Sequence, residues 1–201
     1  MRTMIENMVF ERIRSAIAVQ QMFPERIICG STALYMTGHL PIRKSVPVPA
    51  WHPTDKWTNN LVGIGKPMVM EDYSIRCPHD LDMCTVSTPE YEILCRLNGN
   101  RNYCRFNDLG PFKCTTLNFP KRHDLFILAP GSPLLRTVKI HNIVLQDPRA
   151  IMEVKNIWDR PKDIMHRQTY EKQLLPDPMS MDMIHEIVYG RPDPLADGEP
   201  F

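Results

Sequence analysis

Three short segments carry residue types suited to chemistry at phosphorus: Cys29-Gly30-Ser31, His79-Asp80-Leu81-Asp82, and Arg122-His123-Asp124-Leu125-Phe126. In an extended strand, residues two apart project to the same face, so Asp80 and Asp82 stand side by side. Two carboxylates so placed repel unless a cation sits between them. Magnesium meets that need, because it prefers carboxylate oxygens and keeps waters that substrate phosphates can replace. Asp124, on a neighbouring strand, would complete a set of three carboxylates. Two metals held by such a set stabilise both the attacking and the leaving oxygen of an in-line displacement. Gly30-Ser31 supplies a different part. Glycine lets backbone approach a ligand closely, and the helix that follows offers free N–H groups to phosphate, with Ser31 as its cap.

Each part also has a plain structural reading. Asp80 can start a strand and cap a turn while Asp82 is solvated, and Gly30 can be an ordinary strand–turn–helix junction. The order of the parts along the chain is what points to nucleotide chemistry.

The elements that must position these residues follow from periodicity. Ile5, Met8, Val9, Ile13, Ala16 and Ile17 recur at helical spacing over residues 4–20. Arg26–Cys29 reads as a short buried strand, and Ser31–Met36 as a helix closed by Gly38. Asp80–Val86 alternates as a strand does. Ser87-Thr88-Pro89-Glu90 is a helix start, with a capping hydroxyl and proline in the first turn, and that helix runs to Leu97 and stops at Asn98-Gly99. Tyr103–Asn107 and Lys113–Asn118 form a hairpin around Asp108–Pro111, followed by strands at His123–Ala129 and Thr137–Leu145. Helices open at Pro148, at Pro161 and over Met181–Tyr189. The implied class is α+β, a mixed β-sheet flanked by helices with a helical C-terminal part. Three regions follow: a core over 1–135, a final strand and helices over 136–190, and an extended tail over 191–201.

Residues 41–78 break the pattern. Pro41, Pro47, Pro49, Pro53 and Pro67 interrupt regular structure, and an irregular connection of this length is commonly functional. Trp51, Trp57, Lys44, Lys56 and Lys66 suit it as a lid that stacks on a base or touches phosphate. A surface excursion anchored by its tryptophans is the alternative.

Composition bounds the rest. Lys plus Arg number 24 against 23 acidic residues, so overall charge argues for neither nucleic acid nor membrane. Residues 121–172 are locally basic, with ten Lys/Arg against six Asp/Glu, a bias towards RNA or simply a solvated face. No apolar run reaches the ~20 residues of a membrane span. Glu6, Glu11, Arg12 and Arg14 interrupt the N-terminal apolar positions, unlike a signal peptide. The six cysteines contain no CxxC pair and read as reduced thiols in a cytoplasmic protein. A zinc site using Cys77 and His79 is a third, weaker reading.

The Gly-Ser helix start, the Asp-x-Asp strand and the third strand aspartate together resemble the polymerase-β-type nucleotidyltransferase superfamily. Cys29-Gly30-Ser31-Thr32-Ala33-Leu34-Tyr35-Met36-Thr37-Gly38 resembles the opening of its small abortive-infection and toxin-type members. Lys155-Asn156-Ile157-Trp158-Asp159-Arg160-Pro161-Lys162-Asp163-Ile164 is similar to their later helical segment. The resemblance spans roughly residues 26–167. It implies a nucleotidyltransferase-like fold and transfer of a nucleoside monophosphate from an NTP, with Mg²⁺ or Mn²⁺, to an RNA (such as a tRNA), protein or small-molecule acceptor. Gly30, Ser31 and Lys155 would hold the triphosphate, and Asp80, Asp82 and Asp124 the metals. Asp124 would also serve as base, and Asp163 would orient Lys155 or the acceptor.

Helix-local pairing offers a simpler account of the last two residues, Lys155 with Asp159 and Asp163 with Arg167. Two departures stand out: the long interval between Gly-Ser and Asp-x-Asp, and His79 where a small residue is common. A non-catalytic binding module of the same fold, acting in phage–host or toxin-type conflict, is the alternative function.

Overall fold

The computed structural model describes residues 4–40, 81–97, 101–106, 110–159, 161–173 and 175–190. Six α-helices and seven strands alternate along them: α1 (Met4–Met22), β1 (Ile27–Ile28), α2 (Gly30–Met36), β2 (Asp82–Val86), α3 (Pro89–Leu97), β3 (Arg101–Phe106), β4 (Gly110–Leu117), β5 (His123–Leu128), β6 (Thr137–Ile140), β7 (Ile143–Gln146), α4 (Pro148–Trp158), α5 (Pro161–Lys172) and α6 (Met181–Tyr189). The strands form one mixed sheet in the order β3-β4-β5-β2-β1-β7-β6. β1 runs parallel to β7 and β2 parallel to β5, while the other neighbours are antiparallel. The class is therefore α+β, as the order of elements implies. Among the described residues no helix is long and apolar enough to cross a membrane.

Alternation along the strands splits the sheet into two chemically different faces. Ile28, Met83, Leu125 and Leu145 are register neighbours on one face and are fully buried against α1, α2 and α6. Each contributes about 1.5–3 kcal/mol of apolar burial. Ile27, Cys84 and Phe126 lie in one row on the other face. There the cover is a short 3-10 turn (Pro133–Leu135) and one side of α4, through Leu134, Ala150, Val154 and Trp158. Asp82 and Asp124 belong to this second face, at its less covered end.

α1 is held by its apolar stripe and by two polar ties. Arg14 Nε donates to the Ile187 carbonyl at 2.6 Å, joining α1 to α6. The buried Gln20 amide donates to the Arg26 and Val144 carbonyls and accepts from the Val144 N–H, so both donors and the carbonyl oxygen have partners beside β1 and β7.

The strand expected over Thr137–Leu145 is instead the β6–β7 hairpin, turned at His141-Asn142, with His141 at φ +54. Histidine and asparagine tolerate that left-handed region better than most residues, and with neither glycine nor proline at His141-Asn142 the sequence concealed the turn. α2 begins one residue early, at Gly30. Its cap is Cys29, which makes no side-chain cap bond, so Ser31 lies inside the first turn rather than capping it. The 41–78 segment, Asn98-Gly99 and the 191–201 tail lie outside the described residues.

Candidate functional site

The topology brings three of the singled-out segments to one end of the sheet. β1 is antiparallel to β2, so Cys29 and Gly30 emerge where β2 begins. β5 is parallel to β2, so its start lies at the same end, and Asp82 and Asp124 are direct register partners. Neighbouring strands lie about 4.7–4.9 Å apart, so the two aspartates rise side by side from the same face of the sheet. Backbone bonds fix the arrangement: the Cys29 N–H donates to the Asp82 carbonyl at 3.0 Å, and the Asp124 N–H to the Leu81 carbonyl at 2.8 Å.

Gly30 sits at φ +63, and a Cβ there would lie 2.4 Å from Oδ2 of Asp82. The glycine is thus required twice, by its backbone conformation and by the carboxylate pressed against it. Gly30, Ser31, Asp82 and Asp124 are all half-buried, accessible on one side and supported on the other. α2 has only seven residues, so close backbone approach at Gly30 counts for more here than any helix dipole.

Asp80 lies outside the described residues, as do Cys77, His79 and the lid residues Trp51, Trp57, Lys44, Lys56 and Lys66. Among the described residues no group of three His, Cys, Asp or Glu side chains could hold a metal ion. The described pair Asp82 and Asp124 offers the donor type a hard divalent cation takes, and a cation there would need a further oxygen from residue 80 or from substrate.

Lys155 and Asp163 meet, although on different helices. Lys155 Nζ donates to Asp163 Oδ1 at 2.9 Å, with the two side chains 7% and 0% exposed. The helix-local pairings expected for them give way to bonds between α4 and α5: Arg167 reaches back to Asp159 and to Asn156. Asp159 is the cause. It ends α4 in the left-handed region, at φ +45, and turns the chain so that α5 packs against α4. The expected roles of Lys155 towards phosphate and of Asp163 as its orienting partner meet a buried ion pair, in which Asp163 does hold the lysine.

Two polar supports of the site had no sequence signal. Thr116 Oγ1 donates to Asp124 Oδ1 at 2.6 Å, from the register partner on β4. Its only trace in the sequence is one threonine in an alternating strand, and pairing with Asp124 depends on register. The second support is His123, 1% exposed, which joins Arg26 Nη1 (2.9 Å) to the Lys121 carbonyl (2.6 Å). A carbonyl only accepts and a guanidinium only donates, so Nδ1 carries the proton and Nε2 accepts. Burial pushes His123 below the usual histidine range, and the Arg26 charge adds to that. Arg26 is itself buried and stacks on the Phe23 ring at 3.7 Å.

Cys29, Cys84 and Cys114 are buried thiols, none of them in a disulfide, on the face of Asp82. Burial, with the neighbouring Cys84 thiol, raises Cys29 well above the ordinary thiol range. It is a neutral packing group beneath the site rather than a nucleophile.

No family model, curated protein or solved structure matches the chain.

Proposed function

We propose that this chain is a metal-dependent nucleotidyltransferase of the polymerase-β type, moving a nucleoside monophosphate from an NTP to an acceptor hydroxyl with release of pyrophosphate. The observation that carries the reading is the convergence of Gly30, Asp82 and Asp124 at one sheet end, with Gly30 packed against the Asp82 carboxylate. Asp82 and Asp124, with Asp80, would hold Mg²⁺ or Mn²⁺. Such ions neutralise phosphate charge and stabilise the attacking and leaving oxygens.

The chain's own residues contribute positioning. Gly30 lets the Asp82 carboxylate pack against the backbone at the start of α2, and Ser31 offers a hydroxyl to a phosphate there. Asp124, held through one oxygen by Thr116, keeps its second oxygen for a cation or for the acceptor proton. Asp163 fixes the Lys155 ammonium. Rate enhancement then comes from orientation and charge placement, with no covalent intermediate.

The test is incubation with each α-labelled NTP and cell extract, comparing Mg²⁺ with Mn²⁺ and wild type with Asp82→Asn. Metal-dependent labelling that vanishes in the variant supports the reading, and labelling that persists without divalent metal overturns it. A second reading, a non-catalytic binding module of the same fold, is favoured by the burial of Lys155 against Asp163. It predicts Mg²⁺-NTP binding or partner binding with no labelled product from any NTP.

A further inference from the structure

The turn that joins β4 to β5 leaves from the sheet end that carries Asp82 and Asp124. Leu117 and His123 close the hairpin, and the next pair inward is Thr116 and Asp124. Residues 118–122 therefore form a lip beside the two carboxylates. On that lip Phe119 is 66% exposed, and Lys121 and Arg122 are exposed. Neither cation makes an ion pair among the described residues.

Phe119 is one of several exposed apolar side chains, and what sets it apart is its place, on the turn that leaves β4 and beside two exposed cations. The base of the turn is rigid: the Lys121 carbonyl is bonded to buried His123, and His123 to buried Arg26. A buried histidine–arginine pair thus holds an aromatic ring and two cations beside a pair of acidic groups.

We propose that this turn is a binding lip for single-stranded nucleic acid, with a base stacked on Phe119 and backbone phosphates at Lys121 and Arg122. Single strands are the class that needs both parts, an aromatic platform for an unpaired base and cations for the backbone that follows. An anionic membrane or acidic protein needs the cations but not a lone ring next to a carboxylate pair. The assignment rests on the proposed nucleotidyl transfer in one respect: it names the acceptor class for that site, a strand whose terminal hydroxyl lies at Asp82 and Asp124.

Binding is measurable apart from transfer. Fluorescence anisotropy of the full chain with a labelled 12-nucleotide RNA oligomer, in chelator and without NTP, reads the lip alone. Phe119→Ala is expected to weaken binding about tenfold. Lys121→Ala with Arg122→Ala is expected to lower the slope of log affinity against log salt by about 1.4, two phosphate contacts at ~0.7 each. Lys139→Ala, an exposed cation on the far edge strand β6, is expected to bind as wild type does, and because neither metal nor NTP is present the readout is independent of the transfer reading. The lip side chains are exposed, so thermal melts of their variants should match wild type. RNA binding that is equal in all variants, or binding to anionic vesicles without binding to the oligomer, overturns the proposal.

Discussion

Gly30 and Asp82 are in direct contact: the space a side chain would need at residue 30 is taken by Oδ2 of Asp82. An alanine there must hold a left-handed backbone, a cost of roughly 1–2 kcal/mol. It must also displace the carboxylate. Gly30→Ala is therefore expected to lower the melting temperature by several degrees and to reduce transfer by about 100-fold, since a displacement near 1 Å at a reacting centre has that effect. Calorimetry and the labelled-NTP assay read the two separately. A variant with unchanged melting and unchanged transfer would show that the contact is irrelevant.

Asp82 and Asp124 are register partners on parallel strands, so two like charges face one another. Divalent metal should relieve that repulsion in the folded state only. With Mg²⁺ at ten times its dissociation constant, the expected stabilisation is about 1.4 kcal/mol. Asp82→Asn and Asp124→Asn should each abolish the Mg²⁺-dependent rise in melting temperature. Neither should be less stable than wild type in chelator, because each removes one of two neighbouring like charges. A full Mg²⁺ shift retained in both variants would place the metal elsewhere.

Elements with local signals were legible in the chain, whereas pairings decided at long range were not. Pro89, Pro148 and Pro161 mark helix starts because proline pre-sets the first helical turn, and α3, α4 and α5 begin there. The spacing of Val9, Ile13 and Ile17 marks the buried stripe of α1 in the same way. Asp82 and Asp124 could be recognised as strand carboxylates, but their register depends on β2 and β5 pairing across some forty residues. Thr116 was invisible for that reason, as was the Arg26–His123 bond. The Lys155–Asp163 pair was masked by the attraction of i+4 partners, and only the left-handed turn at Asp159 decides against them. The His141-Asn142 turn lacked the glycine that commonly marks a two-residue hairpin.

Breaking the Lys155–Asp163 pair should destabilise the chain strongly, because the partner left behind is a buried, unneutralised charge. Asp163→Ala or Lys155→Ala is expected to cost about 3–5 kcal/mol. The double change Lys155→Met with Asp163→Leu should recover much of that loss, since burying an ion pair offsets most of its own attraction. Urea unfolding of the two singles and the double closes the cycle. Singles within ~0.5 kcal/mol of wild type would mean that the pair is effectively solvated. If the double regains stability but not transfer, the pair serves the reaction as well as the packing of α4 on α5.

His123 makes stability depend on pH in a direction that can be worked out. Burial lowers its folded-state affinity for protons below the unfolded value near 6.5, so between the two values the unfolded chain binds more protons. Stability is therefore complete above about 6.5 and falls as pH drops towards the depressed folded value, by at most about 1.4 kcal/mol per pH unit for one such group. Protonation at Nε2 would also cost the bond from Arg26, a donor that cannot become an acceptor. His39, lowered chiefly by burial, acts in the same direction. Glu90 and Glu92 are held below the usual carboxylate range by hydrogen bonds, Glu92 through Lys113 and Ser87, so they titrate below the window of interest. Urea unfolding at pH 7.5, 6.5 and 5.5 should thus show falling stability in wild type and a shallower fall in His123→Gln, which keeps a donor and an acceptor but no titration. A wild-type profile that is flat or rises towards pH 5.5 would contradict a neutral, buried His123.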